Sequence, residues 1–234
     1  MRDTFLFDLD GTLLPMDYDK FMHLYFAGLC KHFEGQYDLK LLQKTILEGT
    51  EVMFRNDGSK TNEDAFWDFA VTRIDFDLAH DKARFEHFYD STFAVAKEST
   101  WQNPFAVQCV RLLKDKGYTL AIATNPLFPR IATMNRIQWA GLDPDDFALI
   151  TTYENFHFCK PNLGYYREVL DRLGKTPDQC VMIGNDNIED MCAGSLGIKS
   201  YLIDDCLLNH NDAPLHDWHG SFEAFYALLK ADVI

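Results

Sequence analysis

Short apolar runs that each end abruptly in polar or charged residues constrain this chain more than anything else in it. Residues 4–9, 118–124, 147–151 and 180–184 are such runs, and each is too short for a buried helix. A fifth run spans residues 199–203. Helical patterns stand between them: residues 105–116 closed by Gly117, 129–140 closed by Gly141, 163–173 closed by Gly174, and 188–196 before Gly197. Residues 221–229 read as a closing helix. Repeated strand–helix units predict an α/β fold, with a parallel sheet covered by helices on both faces.

Residues 17–97 break that rhythm. Phe21, Leu24, Tyr25, Leu29 and Phe33 recur at helical spacing, and Leu39, Leu42, Ile46 and Leu47 repeat the pattern. Thr61-Asn62-Glu63-Asp64 reads as a helix start, with Phe66, Phe69, Ala70 and Ile74 as its apolar face. Phe85, Phe88, Tyr89 and Phe93 mark a further helix. The run at 4–9 belongs to the sheet, so this all-helical block is an insertion into one domain. Its aromatic residues, at helical spacing, read as core.

Composition excludes several classes of function. In 234 residues, 47% are hydrophobic and 25% charged, an ordinary globular mixture. No stretch approaches the roughly 20 apolar residues of a membrane span. The polar Met1-Arg2-Asp3 leads into a run too short for a signal peptide, which predicts a cytoplasmic protein. Lysine and arginine number 22 against 36 acids, a net charge of −14 that repels nucleic-acid backbones. Six cysteines without a CxxC pair read as reduced thiols rather than disulfides or a zinc site, and the eight histidines show no ligand spacing.

In a parallel sheet, ligands bind beyond the carboxyl ends of the strands. Asp8-Leu9-Asp10-Gly11 follows the first run and Thr124-Asn125-Pro126 the second. The third leads to Lys160-Pro161, and the fourth to Gly184-Asn185-Asp186-Asn187-Ile188-Glu189-Asp190. Asp8 and Asp10, two apart in an extended segment, can face one pocket, and with Asp186 nearby three carboxylates would converge. Each pair of charges ~4 Å apart repels by roughly 1–4 kcal/mol, a penalty that a divalent cation removes. Hard oxygen ligands and a phosphate favour Mg²⁺. A carboxylate could then attack phosphorus, with Lys160 offsetting charge on the transferring group. The Thr124 hydroxyl and main-chain N–H groups near it and near Asp10 would bind the phosphate oxygens. Asp10 would protonate the leaving alkoxide and then activate water.

Asp8-Leu9-Asp10-Gly11-Thr12-Leu13-Leu14 resembles the DxDGT signature of the haloacid dehalogenase superfamily. Thr124-Asn125, Lys160-Pro161 and the Asp186/Asp190 pair resemble its second, third and fourth motifs, in order and spacing. The resemblance implies a Rossmann-like doubly wound core (three layers, α/β/α) over residues 1–15 and 98–234, and a helical cap domain over 16–97. It implies a Mg²⁺-dependent phosphatase acting on a small phosphorylated metabolite. Asp8 would be nucleophile and metal ligand, and Asp10 acid/base and, through its carbonyl, metal ligand. Thr124, Asn125 and Lys160 would bind phosphate and Asp186 the metal. Asp190, Asn185, Gly11 and Thr12 would support them. The fourth motif departs from the common Gly-Asp or Asp-Asp start; Asp186 is preferred over Asn185 because a carboxylate binds Mg²⁺ better than an amide. Residues 55–59 are a candidate cap loop facing the site, although a surface loop is the simpler reading.

Other chemistries share this scaffold. Dehalogenases attack carbon without a metal but lack the second acid of the first motif, so Asp10 argues against them. Phosphonatases need a cap lysine, for which Lys20, Lys31, Lys40, Lys44 and Lys60 are available. Phosphomutases share the motifs, and a non-catalytic binding or regulatory module would be expected to have lost them.

Overall fold

The computed structural model describes residues 2–209 and 216–234; residues 1 and 210–215, which the sequence assigns to the core, lie outside the described residues. Six strands form one parallel sheet: β1 (Thr4–Phe7), β2 (Thr119–Ile122), β3 (Leu149–Ile150), β4 (Cys180–Gly184), β5 (Lys199–Ile203) and β6 (Trp218–Gly220). Their spatial order is β3-β2-β1-β4-β5-β6. The order reverses at β1, which is flanked by β2 on one side and β4 on the other, so a crevice forms at the carboxyl ends of β1 and β4. The register sets Phe7 beside both Ile122 and Ile183, which brings the three following loops level.

Alternation along the central strands feeds two apolar layers. Phe5, Phe7, Val181 and Ile183 pack with Val110 and Leu113 of α5 (Pro104–Asp115) and with Phe222 and Phe225 of α8 (Phe222–Lys230). Leu6, Ala121 and Met182 pack with Tyr165, Tyr166 and Val169 of α7 (Leu163–Leu173). Helix α6 (Arg130–Trp139) follows β2 and joins the first layer through Ala132 and Ile137. All six cysteines are free, and Cys109, Cys159, Cys180 and Cys192 are buried.

Between β1 and β2 lie α1 (Tyr18–His32), α2 (Leu39–Phe54), α3 (Asn62–Ala70) and α4 (Leu78–Asp90), then a 3-10 segment, Thr92–Ser99. Asp17, Asp38, Thr61 and Asp77 cap the four helices by accepting main-chain N–H bonds. The chain leaves and re-enters the sheet layer at one place, where Met16 bridges Thr100, Asp17 N–H donates to Ser99 O and Trp101 N–H to Pro15 O. A second tie holds the start of α3: Asn62 N–H donates to Phe156 O, Glu63 N–H to Tyr153 O, and the buried Asn62 carboxamide to Pro126 O.

Two elements differ from expectation. The helix predicted over 188–196 is a 3-10 turn, Met191–Leu196, because Gly194 and Ser195 weaken α-helix and Asp186 diverts the preceding N–H groups. An extra edge strand, β6, carries no apolar run, and its three residues are half-buried or exposed.

Candidate active site

The loop after β1 is shaped by its own hydrogen bonds. Asp8 N–H extends the ladder to Ile183 O at 2.9 Å, and the Leu9 carbonyl then accepts from Thr12 N–H and Leu14 N–H. Gly11 sits at φ +84°, and a Cβ there would meet Asn185 Nδ2 at 2.4 Å, so both its conformation and its size are required. The Thr12 hydroxyl lies 2.7 Å from Asn185 Oδ1 and 3.1 Å from Asp8 Oδ2; its one proton serves one acceptor at a time. Asn185 Nδ2 donates to Cys206 O, so this carboxamide braces two loops.

Lys160 is the hub. It is 1% exposed, and its ammonium donates to Asp8 Oδ1 at 2.9 Å and to Asp190 Oδ1 at 2.6 Å. Asp190 Oδ2 accepts from Asp186 N–H. Burial opposes the charge on Lys160, but Asp190 and Asp8 outweigh it and hold the ammonium well above the ordinary lysine range. Burial likewise pushes the Asp190 carboxyl up, against the pull of Lys160. A Cβ on Gly184 would lie 2.5 Å from Asp190 Cβ and closer still to its carboxylate. Gly184→Ala is therefore expected to displace Asp190 from Lys160 and cost ~1–3 kcal/mol in denaturant unfolding. Unchanged stability would mean that Asp190 is not held in this contact.

Asn125 lines the cavity, but its carboxamide links loops: Oδ1 accepts from Lys160 N–H at 3.0 Å, and Nδ2 donates to Glu189 Oε2 at 2.7 Å. Thr124 is buried on the cavity wall, and its carbonyl accepts from Thr151 and Tyr165 hydroxyls. Asp186 Oδ1 caps the following turn by accepting from Ile188 N–H and Glu189 N–H, both at 2.8 Å.

Asp8, Asp10, Thr124, Asn125, Lys160, Asn185, Asp186 and Asp190 all line one cavity of about 500 Å³. Gly11 and Thr12 lie behind it and shape its first loop. Asp8, Asp10 and Asp186 meet at this cavity, although among the described residues no three acidic, histidine or cysteine side chains close around a single point. Arg136, a fully buried guanidinium on α6, is ion-paired with the Asp10 carboxylate. Arg136 also donates to Ala132 O and lies 4.3 Å from the centre of the Phe128 ring. Asp10 Oδ1 is left buried without a hydrogen-bond partner. Burial raises the Asp10 carboxyl, Arg136 opposes this, and Asp8 adds to it. Arg136 carries no sequence signal, since a lone arginine in a helical pattern reads as a solvated side chain. Glu189, also on the wall and raised by burial, stood unremarked beside Asp190. Residues 55–59 do not line the cavity: Phe54 does, while Gly58 lies against Phe158.

The donor set fits a hard divalent cation. Five acidic side chains line the cavity (Asp8, Asp10, Asp186, Glu189, Asp190) against one lysine. Asp8 and Asp186 carboxylates with the Asp10 main-chain carbonyl offer what Mg²⁺ accepts, one or two carboxylates with water and phosphate completing the shell.

Residues 2–195 match the family model described as haloacid dehalogenase-like hydrolase. The pyrophosphatase PpaX of Halalkalibacterium halodurans is 24% identical over 202 residues, covering 86% of this chain and 83% of that protein. Among solved structures, a HAD phosphatase from Thermococcus onnurineus aligns with a TM-score of 0.60 at 20% identity over 98% of each chain. A 2-haloacid dehalogenase from Pseudomonas syringae pv. Tomato aligns at 0.63 with 18% identity over 100% of each chain. No helix among the described residues is long and apolar enough to cross a membrane.

Proposed function

The chain belongs to the haloacid dehalogenase-like hydrolases, and from that premise we propose that it is a magnesium-dependent phosphatase that forms an aspartyl-phosphate on Asp8. The observation that carries this reading is the contact of a buried Lys160 ammonium with Asp8, in a cavity that Asp10 also lines. A nucleophile, a fixed positive charge and a second acid are the parts that phosphoryl transfer needs.

In the proposed sequence an Asp8 oxygen attacks phosphorus as the ester P–O bond breaks. Lys160, with the Thr124 hydroxyl and neighbouring main-chain N–H groups, receives the charge spread over the phosphoryl oxygens. The leaving oxygen takes a proton from Asp10. Its Oδ1, buried and unpartnered, is the atom suited to hold that proton, while Arg136 fixes the other oxygen. Water then attacks the aspartyl-phosphate, returning a proton to Asp10 and freeing Asp8. Asp8, Asp186 and the Asp10 carbonyl would hold Mg²⁺, which when bound neutralises charge so that a carboxylate can approach a phosphate dianion. Asn125 and Asn185 serve as braces in this scheme, keeping Lys160 and the first loop in place. Residues 16–97 act as a cap over a core formed by 1–15 and 98–234, and the substrate is a small phosphorylated metabolite of the cytoplasm.

The purified protein is expected to release phosphate from p-nitrophenyl phosphate only with Mg²⁺ present. Chelation should abolish release without unfolding the chain, and added Mg²⁺ should restore it. Failure to release phosphate from a broad panel of monoesters with Mg²⁺ would overturn the phosphatase reading.

A further inference from the structure

The cap side of the cavity identifies the class of leaving group, an inference that rests on the phosphatase reading above. A smaller space of about 120 Å³ adjoins the catalytic cavity, and the two share Tyr18, Met22, Leu127 and Phe128 on their walls. The rest of its wall is ring-rich and mostly apolar, with Trp67 on α3 and Phe85 on α4; Tyr25, Tyr89 and Tyr153 also line it, and Thr50 on α2 is a small side chain among them. Phe128 is held from behind by Arg136 and from the side by Tyr25, whose ring centre is 5.8 Å away.

Charge argues in the same direction. Among the described residues lining either space, Lys160 is the only basic one, and Asp8 and Asp190 already engage it. Arg136 is fully buried behind Asp10 and paired with it. Among the described residues, no second basic side chain lines either space to receive another negative group on a substrate. An apolar cavity of roughly 150 Å³ accepts a benzene molecule, so the inner space has the size of one ring. We propose that the inner pocket seats an uncharged, apolar leaving group of single-ring size, making the substrate a phosphate monoester of a benzyl-like alcohol rather than a diphosphate or a phosphorylated carboxylate.

The test compares kcat/KM with Mg²⁺ for benzyl phosphate, ethyl phosphate, 2-phosphoglycolate and pyrophosphate. Benzyl and ethyl phosphate release alcohols of similar basicity, so their ratio reports the pocket and not bond strength. That ratio is expected to be about 100-fold, since one methylene in an apolar pocket is already worth roughly 10–200-fold. Both doubly anionic compounds should be slower still. Thr50→Phe should collapse the benzyl-to-ethyl ratio towards unity, and Thr50→Arg should raise 2-phosphoglycolate relative to benzyl phosphate. A second readout needs no turnover: benzyl alcohol should saturably change a fluorescence signal that Trp67→Phe removes, in Asp8→Asn as in the wild type. Turnover of 2-phosphoglycolate or pyrophosphate equal to that of benzyl phosphate would overturn the leaving-group assignment and leave the phosphatase reading standing. No turnover of any ester, with benzyl alcohol still bound at Trp67, would overturn the phosphatase reading and support the pocket.

Discussion

Asp8→Asn removes turnover by at least ~10⁴-fold while the chain stays folded, the scale on which loss of a catalytic nucleophile is measured. The amide has the carboxylate's shape but cannot form the acyl-phosphate. Its carbonyl oxygen can still accept from Lys160, and Lys160 keeps its second partner, Asp190, so no buried cation is stranded. Steady-state phosphate release and urea unfolding, run side by side, check both halves. Turnover near that of the wild type would remove Asp8 from the nucleophile's role.

Lys160→Met should damage stability and activity together. The side chain is of similar length and apolar, so no large cavity opens. The loss is electrostatic: Asp8 and Asp190 then face each other with no ammonium between them. Breaking a buried pair from one side costs about 3–5 kcal/mol, and at ~2–4 °C per kcal/mol the melting temperature falls by on the order of 10 °C. Loss of a charged donor to the phosphoryl group lowers kcat/KM by roughly 10²–10³. Adding Asp190→Asn in the Lys160→Met background should recover part of the stability and none of the activity. A melting temperature within a degree of the wild type would mean that Lys160 does not hold this pair together.

What could be read from the sequence was whatever is local. The apolar run before Asp8, the glycines that close helices, and the acid, hydroxyl and lysine after each run are decided by neighbours in the chain, and they mark the loops that line the cavity. Arg136 could not be read that way. Its partner Asp10 lies in a different loop far away in sequence, and nothing around Arg136 distinguishes a buried guanidinium from a solvated one. The three carboxylates expected near one another do line one cavity, but the counter-ion that α6 sets against Asp10 was not foreseen. Asn125 was read as a phosphate ligand and Asn185 as a supporting residue because of where they stand. Only the three-dimensional arrangement shows their amides spent on Lys160, Glu189 and Cys206. Strand β6 escaped because a half-exposed edge of three residues needs no apolar run.

The placement of β1 bears on how the chain acquires its shape. Thr4 pairs with Thr119 on one side and with Cys180 on the other, so of the six strands the first made waits longest for both neighbours. Contacts across such separations carry a loop-closure penalty and slow folding. The helical segment made in between packs its start on its own end, Phe21 against Phe93 and Phe33 against Phe85, so it can consolidate from within while β1 waits. During synthesis, Phe5 and Phe7 have no sheet partner until β2 emerges and only one until β4 follows, an interval in which an unpaired strand edge exposes the nascent chain to aggregation.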